Sequence, residues 1–439
     1  MASSQAYAMK FGNRNPDDIP DGKAYNWLSR GLKEAIIAFV NKAGKDDHLY
    51  CCFYEFRNDE ILTAFREAAE RKAKIDIIYD AKENEHLDKD TGEWVESFPK
   101  VENEEAIIRA KLNNYKNLVN LIPRQRNKSY LCHNKFMVLE KGGIPEMVWT
   151  GSTNVSKGGI FGQTNVGHAV ENQKIAKNYL DYWNVLKGDP ESKKIKETNE
   201  TIQQNIQLNN IPDGLTCILS PRNKLDMLQF YADLLDSAKE CACITLAFGV
   251  HNFFEKALSD NNVDNALTFL LLEKDDPDIS DYIYKNNVMK AVGSYIKDNS
   301  VFKWVKETNT FAWGLNTHVM YVHTKFLLKD PLSEVPVVVT GSANFSEAAT
   351  ETNDENMIII KGNWRTADIY FTEFMRIFNH YYFRWIIKKM QEDGLTPPEN
   401  PAFLSSDWQE CTGKYKKGNY KRKKIDFFKN MYIPVYHGK

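Results

Sequence analysis

The chain has 439 residues, 42% hydrophobic and 26% charged, enough to bury a large core in two or three compact units. It contains no run of about eighteen apolar residues and no apolar N-terminal stretch of the secretory kind, which reads against membrane spanning and export and makes the cytoplasm the default location. With a net charge of −2, any attraction to phosphate must be local rather than global.

Taken in chain order, residues 24–43 have helical periodicity, 49–56 (LYCCFYEF) read as a buried strand, 59–73 as an amphipathic helix and 74–81 (KIDIIYDA) as a second strand. The order recurs further on. Residues 224–240 are helical, 242–250 a strand, 253–260 a helix and 266–275 a strand, so the chain reads as two copies of one α/β design. Residues 187–214 are polar and end in a turn signal, which places the boundary near 212. The expected organisation is an N-terminal extension (1–24), a first half-domain (25–212), a second (213–395) and a basic C-terminal extension (396–439). Seven cysteines sit mostly in apolar stretches without a C-x-x-C pair, the pattern of buried reduced thiols.

The firmest alignment joins SYLCHNKFMVLEKGGIPEMVWTGSTNVS to MYVHTKFLLKDPLSEVPVVVTGSANFS. His133 precedes Gly151 by 18 positions, and His323 precedes Gly341 by the same 18. Equal spacing across two strands and a turn implies equal geometry. In each copy a His and a Lys two residues apart (His133 and Lys135, His323 and Lys325) share one face of a strand. A lysine placed there needs an anion, because burying an unpaired ammonium is expensive. Gly-Ser-x-Asn supplies the complement. Its glycine permits close backbone approach, while Ser152, Asn154, Ser342 and Asn344 offer neutral hydrogen-bonding groups. Two such halves facing each other make a phosphate clamp in which one histidine attacks phosphorus and the other protonates the leaving oxygen.

These residues resemble the phospholipase D superfamily, whose two half-domains each carry His-x-Lys-x4-Asp followed by Gly-Ser-x-Asn. The second half matches in full with His323, Lys325, Asp330, Ser342 and Asn344; the first departs by one methylene, with Glu140 in the aspartate position. The resemblance implies two pseudo-symmetric α/β half-domains with mixed sheets flanked by helices and one shared active site, structural support from Glu140 and Asp330, and a phosphohistidine intermediate. It also implies a carboxylate that orients each histidine, for which Glu355 in TNDEN and Glu171 in HAVEN are the candidates. The seventeen positions between Asn154 and Glu171, against eleven between Asn344 and Glu355, are assigned to an extra segment, KGGIFGQ, reaching toward substrate. By analogy His133 is the nucleophile and His323 the acid, although sequence symmetry alone leaves that assignment open. No metal or other cofactor is called for, because the two lysines supply the positive charge.

Ser152 and Ser342 are expected to bind substrate, as are Arg124, Arg126 and Lys128 beside the first motif, which could hold flanking phosphates. Basic residues 414–424, interleaved with Tyr415 and Tyr420, read either as a nucleic-acid or anionic-lipid contact strip or as an unstructured tail. His168 and His318 have no duplicated partner and read as structural. The basic clusters favour nucleic acid as the partner and a cytoplasmic nuclease as the function; the alternative is a phospholipase D acting on phospholipid head groups. A scaffold that has lost catalysis is disfavoured because both motifs keep His, Lys and Asn.

Overall fold

The structure is a computed structural model that describes residues 4–12, 14–82, 84–87, 94–97, 99–125, 130–259, 266–276, 279, 288–293, 321–392, 408–413 and 415–432. The first half lays down β1 (His48–Phe53), β2 (Lys74–Asp80), a small hairpin of β3 (Asn84–Leu87) and β4 (Trp94–Ser97), then β5 (Val119–Arg124), β6 (Lys135–Lys141), β7 (Ile144–Gly151) and β8 (Gly167–Glu171). Apart from the hairpin they form one mixed sheet in the order β5-β2-β1-β6-β7-β8. The pairs β5-β2 and β2-β1 are parallel, and the remaining pairs antiparallel.

The second half adds β9 (Gly214–Ser220), β10 (Cys241–Leu246), β11 (Leu267–Leu272), β12 (Val288–Val292), β13 (Phe326–Lys329), β14 (Val337–Gly341) and β15 (Glu355–Lys361). Its order is β12-β11-β10-β13-β14-β15-β9, so six of its seven strands repeat the first sheet position for position. Strands β1, β10 and β11 are nearly continuous apolar runs, as strands covered on both faces must be. Helix Asp59–Glu70 lies over the first sheet with Ile61, Leu62, Phe65, Ala68 and Ala69 buried. The Asn58 side chain accepts the Ile61 N–H and closes its first turn, a cap worth about 1 kcal/mol.

A chain of buried hydrogen bonds joins the halves. Thr150 donates to Asn356 Oδ1 at 2.6 Å, Asn356 Nδ2 donates to Asn134 Oδ1 at 2.8 Å, and Asn134 Nδ2 donates to the Tyr182 hydroxyl at 3.0 Å. Each of these groups would be costly to bury unpaired, so the docking of one half on the other is specified by polar as well as apolar contacts.

The structure departs from the sequence expectations in several places. Within the polar stretch 187–214, Ser192–Ile202 is a helix with Ile195 buried. Strand β9, unread in the sequence, adds a seventh strand beside β15. The N-terminal extension is packed rather than appended, with Tyr7 fully buried against Trp27. Part of the basic C-terminal segment is also docked: helix Tyr420–Lys429 buries Phe427 against Phe371. The six cysteines whose side chains are described are buried and reduced. Among the described residues no helix is long and apolar enough to cross a membrane.

Candidate active site

Both motifs arrive at the junction of the two sheets. The ring centroids of His133 and His323 are 6.5 Å apart and the rings nearly perpendicular. The regular ladders begin at Lys135 and Phe326, so both histidines stand at the mouth of their strands. Each lysine folds back along its own chain, with Lys135 Nζ donating to the His133 carbonyl and Lys325 Nζ to that of His323. All four side chains are buried.

The motif segments are held by carboxylates that the sequence reading did not single out. Asp80, at the end of β2, accepts the Cys132 N–H at 2.8 Å. Glu273, just past β11, accepts the Val322 N–H at 2.7 Å. These are equivalent bonds immediately before the two histidines. An acidic residue closing each of two matching apolar strands was the available signal.

Gly-Ser-x-Asn works through its backbone and its serine. A Cβ on Gly151 would lie 2.2 Å from the Val166 carbonyl oxygen, and one on Gly341 2.2 Å from that of Asn356. Only glycine allows these approaches. Ser152 and Ser342 are fully buried with their hydroxyls taken up inside the protein, which goes against their expected substrate-binding role. Ser342 Oγ donates to Glu355 Oε2 at 2.6 Å and accepts the Asn356 N–H at 3.0 Å. Ser152 Oγ donates to Asn165 Oδ1 at 2.8 Å and accepts the Val166 N–H at 3.1 Å.

Those serines position the histidine partners. His133 Nδ1 lies 2.7 Å from Glu355 Oε1, across the boundary between the halves. His323 Nδ1 lies 2.9 Å from Asn165 Oδ1, again across the boundary. Glu171 does not fill this place: it is exposed on β8, opposite Met147. The registers explain the correction, since Gly341 pairs with Met357 and Gly151 with Gly167, which makes Asn165 the equivalent of Glu355. Asn165 follows Asn154 by eleven residues, the same interval as from Asn344 to Glu355. The KGGIFGQ segment therefore inserts nothing before the partner. It folds inward, with Ile160 and Phe161 buried and the Phe161 ring 4.7 Å from that of Tyr25.

Asn154 Nδ2 donates to Glu55 Oε1 at 3.0 Å, and the amide oxygens of Asn154 and Asn344 are buried without a partner among the described residues. Phe53 pairs with Lys135, and the β10–β13 register brings Leu246 level with Lys325. Two residues beyond these positions stand Glu55 in the first half and Phe248 in the second. Phe248 is 60% exposed, so the two sides of the site differ at this point.

Burial dominates the electrostatics. It pushes both imidazoles well below their ordinary pKa, and Lys135 and Lys325 push them further. Burial also brings Lys135 down to about 8, opposed by Glu355 and Glu55, and takes Lys325 well below the usual ammonium range, with Lys135 adding to that. Glu355 moves the other way, pushed up to about 8 by burial while Lys135, Ser342 and Lys325 hold it back. An anion between the lysines would restore positive charge to the whole group.

Of the remaining expectations, Asp330 accepts backbone N–H bonds from Lys239, Glu240 and Cys241 and so ties down the start of β10. Glu140 meets the Tyr50 hydroxyl at 3.5 Å. Arg124 is not a phosphate contact. It is buried, with Nε donating to Asp354 at 2.9 Å and Nη1 to Asp189 at 2.5 Å. Arg126, Lys128 and His318 lie outside the described residues. His168 is structural, hydrogen-bonded to the Tyr370 hydroxyl at 3.1 Å.

The profile of a family described as "Cardiolipin synthase, PLD-like domain" matches residues 36–186 and 231–380. A search of curated proteins finds no match. Among solved structures, the chain is similar to the phosphatidylserine synthase of Haemophilus influenzae at 12% identity, covering 83% of this chain and 92% of that one, with a TM-score of 0.49. It is similar to the polyphosphate kinase of Porphyromonas gingivalis at 11% identity, covering 92% of this chain and 52% of that one, with a TM-score of 0.47. The yeast tyrosyl-DNA phosphodiesterase follows at 13% identity, with 73% and 82% covered and a TM-score of 0.40. These three likenesses are too distant to bear on substrate. The family match takes in both halves and both motifs, and on that ground the chain belongs to the phospholipase D superfamily.

Proposed function

We propose that the protein is a metal-independent phosphodiesterase acting on nucleic acid through a phosphohistidine on His133. The observation that carries this reading is the pair of rings 6.5 Å apart, each held at Nδ1 from behind by a residue of the other half. With Nδ1 engaged, Nε2 of each ring is the atom left for substrate. Lys135 and Lys325, with Asn154 and Asn344, would hold the non-bridging oxygens.

The unequal partners supply an order of events. A carboxylate behind His133 stabilises the positive charge that the ring acquires when its Nε2 bonds to phosphorus. The neutral amide behind His323 leaves that ring, once protonated, the better proton donor. In the first step the P–N bond forms, the P–O bond to the leaving group breaks, and the leaving oxygen takes the proton of His323. In the second, His323 takes a proton from water, the hydroxide oxygen bonds to phosphorus, and the P–N bond breaks to regenerate His133.

Phe248, exposed two residues beyond the position level with Lys325, suits base stacking and supports the nucleic-acid reading. The name of the matching family, a cardiolipin synthase domain, favours phospholipid as the second reading. Parallel incubation in EDTA with single-stranded DNA, duplex DNA, RNA and phosphatidylcholine vesicles separates the two. Cleavage of an oligonucleotide is the expected result; turnover of the lipid with oligonucleotides intact replaces the first reading by the second.

A further inference from the structure

The segment 415–432 combines two features that the catalytic site does not use. Between residues 416 and 429 it carries seven Lys and Arg against one carboxylate, Asp426, and that carboxylate is already paired with Arg422 at 3.0 Å. The whole chain is net negative, so the concentration of positive charge is local. On the same segment Ile425, Phe428, Met431 and Tyr432 are exposed. Phe427 turns inward against Phe371 and fixes helix Tyr420–Lys429 to the body of the second half.

Between this helix and the edge of the second sheet runs a groove of about 550 Å³, with Met289, Tyr382, Ile425 and Phe428 providing apolar surface and Lys421 and Lys429 among its cations. The Lys421 ammonium stands 5.5 Å over the Tyr415 ring. Apolar side chains set among lysines suit a boundary where acyl chains meet phosphate head groups. Nucleic acid would use the cations and the aromatic rings, but Ile425 and Met431 have no ring to stack on a base.

We propose that this segment docks the protein on anionic phospholipid bilayers, with Ile425, Phe428 and Met431 entering the head-group boundary and the lysines meeting lipid phosphates. The docking surface is separate from the catalytic mouth. The Tyr432 N–H donates to the Leu332 carbonyl, in the turn that joins β13 to β14. His323 and Ser342 lie at the opposite ends of those two strands. A docked molecule would thus keep its active site turned from the surface that holds it. The inference does not depend on which substrate is cleaved.

The test is co-sedimentation of the full chain with phosphatidylcholine vesicles and with vesicles that also contain phosphatidylserine. Binding is expected only with the anionic lipid and should weaken with salt. Lys416→Glu, Lys417→Glu and Lys429→Glu should each weaken it at least about fivefold. Ile425→Ser with Phe428→Ser should weaken it at least about tenfold while leaving hydrolysis of bis(p-nitrophenyl) phosphate and oligonucleotide gel shifts unchanged. If hydrolysis falls, the double variant has disturbed the fold and Ile425→Ser alone, at an exposed position, gives the reading. Failure of the wild type to bind anionic vesicles at low salt overturns the proposal, as does undiminished binding by the serine variants. Lysine-dependent capture of an oligonucleotide without vesicle binding would overturn it in favour of a nucleic-acid surface.

Discussion

Asn165 accepts the Nδ1 hydrogen bond of His323 at 2.9 Å, in the position from which Glu355 serves His133 at 2.7 Å. The two rings thus share one geometry but differ in whether the group behind them can ionise. Together with Phe248 standing where the first half has Glu55, that difference breaks the symmetry of the duplicated centre, and a single substitution can remove it.

Asn165→Asp should raise the basicity of His323 and move the alkaline limb of the kcat profile to higher pH. Asn165→Ala should lower kcat about 10–100-fold with KM little changed, the effect of losing an orienting partner. Full pH–rate profiles of both variants provide the check. A structural role alone would lower activity without moving a limb.

His133→Ala, Lys135→Ala, His323→Ala and Lys325→Ala should each lower turnover by about 10²–10⁴-fold or more, with circular dichroism unchanged. Loss of the nucleophile should be the most severe. On the proposed mechanism the two ammonium groups supply the positive charge at phosphorus, so activity should persist in EDTA. Strict dependence on added Mg²⁺ would contradict the two-histidine mechanism.

The pH dependence follows from Glu355 and Lys135, both brought to about 8. Turnover should rise as Glu355 ionises and fall as Lys135 and Lys325 lose their protons, giving a narrow kcat/KM optimum. A bound phosphodiester favours the ammonium form, so the alkaline limb of kcat should lie higher than that of kcat/KM. A broad plateau from pH 6 to 10 would be inconsistent with either shift.

Glu355 also makes a stability prediction. Its pKa is raised from 4.5 to about 8 on folding, so between those values the unfolded chain has released a proton that the folded chain keeps. Stability therefore falls as pH rises through that window and the loss is complete above about pH 8, with a magnitude on the order of a few kcal/mol. Glu355→Gln should remove it. The variant's Tm relative to wild type should climb between pH 5 and pH 8 while its activity collapses, as thermal melts across that range would show.

Arg124 should behave as a structural residue. Arg124→Met leaves Asp354 buried without its partner, a change that typically destabilises by about 3–5 kcal/mol. Its signature should be a lowered Tm at neutral pH, with KM for an oligonucleotide little changed in the molecules that remain folded. A raised KM at undiminished Tm would return Arg124 to the substrate.

The duplicated motif was legible in the sequence because its information is local. Strand alternation puts His133 with Lys135 and His323 with Lys325, and the interval of 18 residues to each glycine repeats because the same hairpin is built twice. The α/β order and the pairing of halves followed from the same repetition. Asn165 was legible too, through its interval of eleven residues from Asn154, although it is an amide that accepts the same bond and not the carboxylate the family resemblance implies. Other features depended on contacts between segments far apart in the chain. The carboxylates of Asp354 and Asp189 turned Arg124 from a candidate phosphate ligand into an interior ion pair, and both lie more than sixty residues from it. The hydroxyls of Ser152 and Ser342 went to the histidine partners because the segment entering β8 and the start of β15 pass close enough to claim them. Which chemistry the chain performs was set by residue type and spacing. Which residue serves which histidine, and with what charge, was decided only when each half crossed the boundary to complete the other's site.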